Sequence, residues 1–454
     1  MVGPNSYTGE TDPHISAARA VPGCLEIRAY RILTRLAKPA APYILRFRER
    51  KGKEDPSRRG ERLGQASIVR PDGPVVWVHA ASVGETSAVL PLLSRLAEQR
   101  PELVVLLTTG TVTSARFAAS RLGQAMLHQY VPLDEPSFVA AFLDYWRPSL
   151  GIFTEQEVWP NLVLAASSRG IPLALVNARM SDRSFERWQR HPAVAAALFS
   201  RFHTVLAQNE RLAARFAQIG APNVVAVGNL KIDAPPPPVD AAAFAALQQA
   251  LGGRPCIVAA STHEGEEQAL CEAFNGLKQR IGGLLMMIAP RHPERGGIVT
   301  DLARGVGLAV GQRSRGAMPG MGTDIYVADS IGELGTLYAA SPVAFIGGSL
   351  IPHGGQNPIE AVRHGAVVVT GPSIHNFADA YEALLSAQGA VRVEGADQIS
   401  QEVGDLLANP ERAERMRGNA LRALSSLSGA LDRTAAALFP LLPENERRRA
   451  MSGG

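Results

Sequence analysis

The 454-residue chain has only three cysteines, Cys24, Cys256 and Cys271, far apart and in no C-x-x-C pair. That excludes a disulfide framework and a cysteine zinc site, and it fits a reducing cytosol. No apolar run reaches the roughly 18 residues a membrane-spanning helix needs. Residues 1–23 lack a basic stretch followed by an apolar core, so they do not read as a secretory signal and are expected to be a disordered leader. No G-x-G-x-x-G follows the first strand and no G-x-x-x-x-G-K-[ST] occurs, which argues against a dehydrogenase and an NTPase. The ten histidines show neither H-E-x-x-H nor any paired ligand spacing, so no metal and no cofactor is expected.

What is present suits a globular α/β protein: 46% hydrophobic residues, 19% charged, and 43 glycines with 32 prolines to punctuate the elements. The length exceeds what one core usually supports, so two domains are expected. From Pro74 onward short β-branched runs alternate with helical patterns, the mark of βα units and a parallel sheet. Residues 75–79, 103–108, 150–153, 172–176, 204–207 and 224–227 read as strands of a first Rossmann-like domain over 65–233. The four prolines within 234–240 require an extended, stiff connector. The pattern then restarts with strands at 256–260, 284–288, 324–327, 343–346, 367–370 and 390–393, a second Rossmann-like domain over 241–425. A helix and tail follow over 426–454. The expected architecture is α/β, two Rossmann-like domains facing a cleft, with the chemistry in loops at the carboxyl ends of the strands.

The segment 24–64 concentrates positive charge. Arg28, Arg31, Arg35 and Lys38 fall at steps of three, four and three, one stripe of a helix whose other face carries Ala29, Tyr30, Leu33, Leu36 and Ala37. Such a basic amphipathic helix is either a solvated surface element or an interfacial anchor drawn to anionic lipid. No nucleic-acid-binding motif accompanies the stripe, and nucleic acid is not expected as a partner.

Six loops carry unusual residues. Ala80-Ala-Ser-Val-Gly-Glu85 delivers Glu85 to a helix start, as a general base or as a glutamate complementing the helix dipole. Phe153-Thr-Glu155-Gln-Glu157-Val-Trp-Pro160 places two carboxylates beside Trp159, whose bulk would raise a neighbouring pKa by desolvation; the alternative is a cap and a core tryptophan. In the second half, Ser261 and Thr262 follow a strand and supply hydroxyl and N–H donors suited to phosphate. Arg291 and His292 follow the next strand and suit an anionic leaving group. Gly347, Gly348 and Ser349 end another, and Gly355, Asn357 and Glu360 lead into a helix where Glu360 accepts from ribose hydroxyls. Singly each reads as turn and cap; the four of the second half together, at consecutive strand ends of one sheet, read as a nucleotide site.

In this order the loops closely resemble the 3-deoxy-D-manno-octulosonic acid (Kdo) transferases of Gram-negative bacteria, a family of the glycosyltransferase B type. The resemblance runs from about Ile27 to Leu438. Its most specific stretches are Trp77-Val-His-Ala-Ala-Ser-Val-Gly-Glu85, Glu155-Gln-Glu-Val-Trp-Pro-Asn161, Val176-Asn-Ala-Arg-Met180, Gly228-Asn-Leu-Lys231, Ala289-Pro-Arg-His292 and Gly354-Gly-Gln-Asn-Pro-Ile-Glu360. It implies CMP-Kdo as donor, a hydroxyl of the lipid A precursor as acceptor, and inverting transfer without a metal or cofactor. Glu85 then matches the catalytic base and Glu155 the second carboxylate. Lys231, Ser261, Thr262, Arg291, His292, Gly347, Gly348, Ser349, Gly355, Asn357 and Glu360 are the expected donor-binding residues. Ser82, Gly84, Arg58, Arg59 and Arg62 are those expected at the acceptor, the three arginines meeting its phosphates. Gln156 departs from the small hydroxyl residue common there, and residues to about Gly23 extend beyond the usual start. A lipid-borne acceptor makes the 24–64 segment an anchor to the membrane surface, at the cytoplasmic face of the inner membrane. The rivals are a sugar-nucleotide epimerase or UDP-donor transferase on the same fold, and a non-catalytic module binding sugar nucleotide or anionic lipid.

Overall fold

The computed structural model describes residues 24–123 and 126–443. The expected leader over 1–23 lies outside them. The chain divides into two compact units, one running to Asp233 and resuming at Gly429, the other spanning Ala234–Ser428.

The first unit holds β1 (Val75–His79), β2 (Val104–Thr109), β3 (Met126–Tyr130), β4 (Leu150–Thr154), β5 (Leu173–Ala178), β6 (Thr204–Ala207) and β7 (Val224–Ala226). They form one sheet in the order β3-β2-β1-β4-β5-β6-β7, every pair parallel. Parallel strands are joined by helices that cover both faces, so central strands read as unbroken apolar runs. β1 shows this directly: Val75 and Trp77 enter the core on one face, Val76 and Val78 the core on the other.

The second unit holds β8 (Cys256–Thr262), β9 (Leu285–Pro290), β10 (Val310–Gln312), β11 (Ile325–Val327), β12 (Val343–Ile346), β13 (Val367–Thr370) and β14 (Ala390–Arg392). Their order is β10-β11-β9-β8-β12-β13-β14, again parallel throughout. Both units are therefore Rossmann-like α/β layers.

Two strands escape the sequence pattern, β3 and β10. Each is an edge strand, and β3 reads Met-Leu-His-Gln-Tyr. An edge strand needs no continuous apolar run, so the signal is weak there.

Two segments pack differently from expectation. The proline run is held to the second unit, where His364 Nε2 bonds the Pro237 carbonyl at 2.9 Å and any Cβ on Gly335 would stand 2.3 Å from the Pro238 carbonyl. After the second unit the chain returns: in the helix Ala430–Leu438, Ala430, Ala435 and Leu438 are buried in the first unit's core with Val78 and Leu92. Asp233 fixes that return, accepting from the N–H groups of Gly429 (3.0 Å) and Leu431 (2.7 Å).

Candidate active site

In the first unit the neighbouring strands β1 and β4 end side by side. Ser82 caps the helix Val83–Gln99, its hydroxyl accepting from the Glu85 N–H at 3.3 Å, so Glu85 lies in the first turn with its side chain turned back over the strand end. One carboxylate oxygen accepts from the Ser82 hydroxyl (2.7 Å), the other from the Ala81 N–H (2.9 Å) and the Thr154 hydroxyl (2.8 Å). Glu85 is 9% exposed. Burial raises its pKa, the charge of Glu155 raises it further and Glu157 adds to this, while the Ser82 and Thr154 hydroxyls oppose the shift. A carboxylate poised in this way takes up a proton more readily than an exposed one.

Glu155 follows β4 with φ +52°, a left-handed conformation that a non-glycine residue adopts at a cost of about 1 kcal/mol or more. Its N–H bonds the Val176 carbonyl at 3.0 Å, which holds the strained residue in register with β5. The side chain meets Lys231 Nζ at 2.6 Å and comes within 4.0 Å of Arg179. Lys231 is delivered by the short helix Leu230–Asp233, whose Leu230 N–H donates to Asn177 Oδ1 at 3.0 Å. Asn177 is itself left-handed, φ +51°, at the register shift between β5 and β6.

Glu157 completes the group. Burial would raise its pKa, but His79 and the Trp159 indole N–H, 2.9 Å from its Oε2, bring it below the usual value. Trp159 is 44% exposed, so the expected desolvating tryptophan instead holds a carboxylate, and helix and strand packing bury Glu85.

In the second unit the loops after β8, β9 and β12 come together, these strands being sheet neighbours. Glu266, fully buried, ties the loops after β8 and β12 together. Its Oε2 accepts from the N–H groups of His263 (2.9 Å) and Gly348 (2.7 Å), its Oε1 from those of Ser349 (2.9 Å) and Leu350 (3.0 Å). The Gly348 and Ser349 amides, in a loop expected to bind the donor, are thus satisfied by a carboxylate of the protein. Gly347 is required because a Cβ there would stand 2.4 Å from the Ser261 carbonyl. The Ser349 hydroxyl donates to the Ile346 carbonyl and accepts from Gly371, and Thr262 donates to Glu267, so both hydroxyls are internal. Ser261 sits at the β8 register shift with φ +56°.

Facing outward are cationic and imidazole groups. The His263 ring lies 4.2 Å from His353 and 6.1 Å from His292, centroid to centroid, with Gln356 Nε2 at 3.1 Å. Burial, then His353, His292, Arg291 and Arg295, lower the His263 pKa to about 4. Arg291 and His292 are exposed, and Arg291 has no ion-pair partner among the described residues. Beyond them Asn357 Nδ2 donates to Glu360 at 3.0 Å, and burial raises the Glu360 pKa against that bond. Guanidinium and imidazole groups of this kind are able to pair with an anion.

A family model described as 3-deoxy-D-manno-octulosonic-acid transferase (kdotransferase) matches residues 57–234. The chain is 34% identical over 386 residues to the 3-deoxy-D-manno-octulosonic acid transferase of Haemophilus influenzae, covering 84% of this chain and 90% of that one. The chain belongs to the Kdo transferase family. With the Bordetella pertussis enzyme of the same name the identity is 37% over 372 residues, 80% of this chain and 86% of the relative. A glycosyltransferase of Rickettsia africae superposes with TM-score 0.58 at 11% identity, over 83% of this chain and all of its own, which speaks to fold alone. The protein is thus a glycosyltransferase with Kdo transferase activity in lipopolysaccharide biosynthesis, on a fold of the glycosyltransferase B type.

The transferase brings Glu85, Ser82, Glu155 and Lys231 to one strand-end cluster, with Gly84 exposed at its rim. Lys231, expected to bind donor, belongs to the first unit as the partner of Glu155. The three arginines expected at the acceptor are already engaged. Arg62 is buried against Glu54 and the carbonyls of Val131 and Gly110, Arg58 is bidentate to Glu61, and Arg59 pairs with Glu49. Arg62 in particular locks the N-terminal segment to the sheet. The sequence assigns no role to Glu266, His263 or His353; two acids, Glu264 and Glu266, just before a helix in a strand-end loop are the available signal for the first. Among the described residues no group of three His, Cys, Asp or Glu side chains converges as a metal site would require.

Proposed function

We propose that this transferase moves Kdo from CMP-Kdo to a hydroxyl of the lipid A precursor, with inversion and without a metal or cofactor. The observation that carries the reading is the buried Glu85 carboxylate, held by three donors and shifted toward proton uptake, at a strand end of the unit that the family model matches. Glu85 accepts the proton of the acceptor hydroxyl as that oxygen bonds to the anomeric carbon of Kdo. The bond from that carbon to the CMP phosphate oxygen breaks on the opposite side, and its electron pair leaves with CMP. Glu155, fixed by Lys231, supports the acceptor side. Arg291, His292 and the neighbouring imidazoles balance the phosphate and the sugar carboxylate, and Glu360 with Asn357 meets the ribose hydroxyls. Among the described residues no helix is long and apolar enough to cross a membrane. We place the enzyme at the cytoplasmic face of the inner membrane, attached through segment 24–64, where its lipid-borne acceptor lies.

Incubation with CMP-Kdo and detergent-dispersed lipid A precursor should give a product heavier by whole Kdo units, and Glu85→Gln should lower kcat by about 10² or more. An unreacted acceptor, with turnover of UDP-sugars instead, would overturn the donor; full activity of Glu85→Gln would overturn the base.

A further inference from the structure

The helix Leu25–Leu36 is seated with its apolar side outward. Its packed row is Ile27, Tyr30 and Thr34, and two of these hold by polar contacts. The Tyr30 hydroxyl donates to Asp134 at 2.9 Å, and Thr34 Oγ1 accepts from Asn161 Nδ2 at 3.1 Å. At about 100° per residue, Leu25, Ile32, Leu33 and Leu36 lie away from that row, Leu33 on its flank and the other three across the helix. They are 78, 59, 64 and 71% exposed. The next helix, Ala41–Arg50, continues the surface: Leu45 is buried while Tyr43 and Phe47 are 72 and 57% exposed. A helix covering a water-soluble core turns its apolar stripe inward; this one keeps it for another apolar phase.

Arg28, Arg31 and Arg35 run along the flank between the packed and exposed rows, and none has an ion-pair partner among the described residues. Arg31 and Arg35 end on a cavity of about 500 Å³ formed with the helices Pro136–Trp146 and Pro160–Ser168. Arg169 and Arg201 also line it, but Arg169 is held by Asp144 at 2.8 Å and Arg201 donates to the Ala197 carbonyl. The guanidinium groups of Arg31 and Arg35, one turn apart on the rim of this concavity, match a phosphate in charge and donor geometry. The neighbouring outward apolar row indicates that the phosphate arrives on a lipid.

We infer that this cavity takes the headgroup phosphate of an anionic phospholipid, with Ile32, Leu36 and Phe47 lodged in the acyl boundary beside it. The inference rests on the membrane attachment proposed above and adds a lipid-binding site to it.

Flotation of the full-length protein with phosphatidylcholine vesicles, with and without phosphatidylglycerol, tests both levels. Diffuse attraction to a charged surface predicts equal losses, about fivefold, for Arg28→Gln, Arg31→Gln and Arg35→Gln. The cavity predicts losses of about tenfold or more for Arg31→Gln and Arg35→Gln, and no more than about fivefold for Arg28→Gln, which stands outside it. Equal losses overturn the cavity site and leave the attachment intact. Absence of wild-type binding to phosphatidylglycerol vesicles, or a soluble dimer abolished by Ile32→Ser with Leu36→Ser, overturns the attachment and the site with it. Thermal stabilisation by glycerol 1-phosphate without vesicle binding assigns the cavity to a soluble anion and overturns the lipid source. The substituted residues are exposed, and circular dichroism of each variant is the check on its folding.

Discussion

Lys231 Nζ lies 2.6 Å from Glu155 Oε1, joining the loop after β4 to the last helix before the proline run. Glu155 is one of the charges that raise the Glu85 pKa, so the ion pair sets how readily the proposed base ionises. Glu155→Gln removes a repelling charge and should move the acidic limb of the kcat profile to lower pH. Lys231→Met leaves that charge uncompensated and should move the limb to higher pH. Both variants should be slower than the parent, and a pH–rate series separates the two directions.

The same burial sets a stability trade. Because the folded protein holds the Glu85 proton more tightly than the unfolded chain does, ionised Glu85 lowers stability as pH rises through the ordinary glutamate value toward the raised one. Glu85→Gln keeps the shape, with its oxygen toward the Ala81 N–H and its amide toward Ser82. At pH 8 it should melt about 2–4 °C higher than the parent for each ~1 kcal/mol recovered, and near pH 4 the difference should vanish. Calorimetry at the two pH values decides.

Glu266 accepts four backbone N–H groups from two loops. Glu266→Gln turns an amide NH2 against two of those donors. The expected loss is about 3 kcal/mol, or about 6–12 °C in the melting temperature of the second unit, with CMP binding weakened in parallel. Unaltered melting and titration curves would show that the loops hold without it.

His263, with a pKa lowered to about 4, is neutral at pH 7 in the free protein. A bound phosphate favours the imidazolium form, so CMP should raise the pKa of His263, and CMP affinity should increase as the pH falls toward 5. NMR titration of the histidine ring protons with and without CMP reads this directly; an unmoved titration would place the phosphate elsewhere.

The sequence by itself determined the buried strands of two parallel sheets, and it marks the strand-end loops that carry Glu85, Glu155, Arg291 and Glu360. Central parallel strands are apolar on both faces, and loop glycines and acids stand out beside them. It did not determine β3 and β10, which as edge strands carry no such run. Only the tertiary structure decided which polar groups are spent internally. Arg62 and Glu266 look like ligand-binding side chains or helix caps in sequence, yet each is buried among partners from distant segments, which no local pattern encodes. The return of the helix Ala430–Leu438 to the first unit is of the same kind. The N-terminal helix shows the limit most plainly: its periodicity gives an amphipathic helix, but which stripe meets the protein was settled by the bonds of Tyr30 and Thr34 to Asp134 and Asn161. Those contacts hold the polar side inward and leave the leucines facing out.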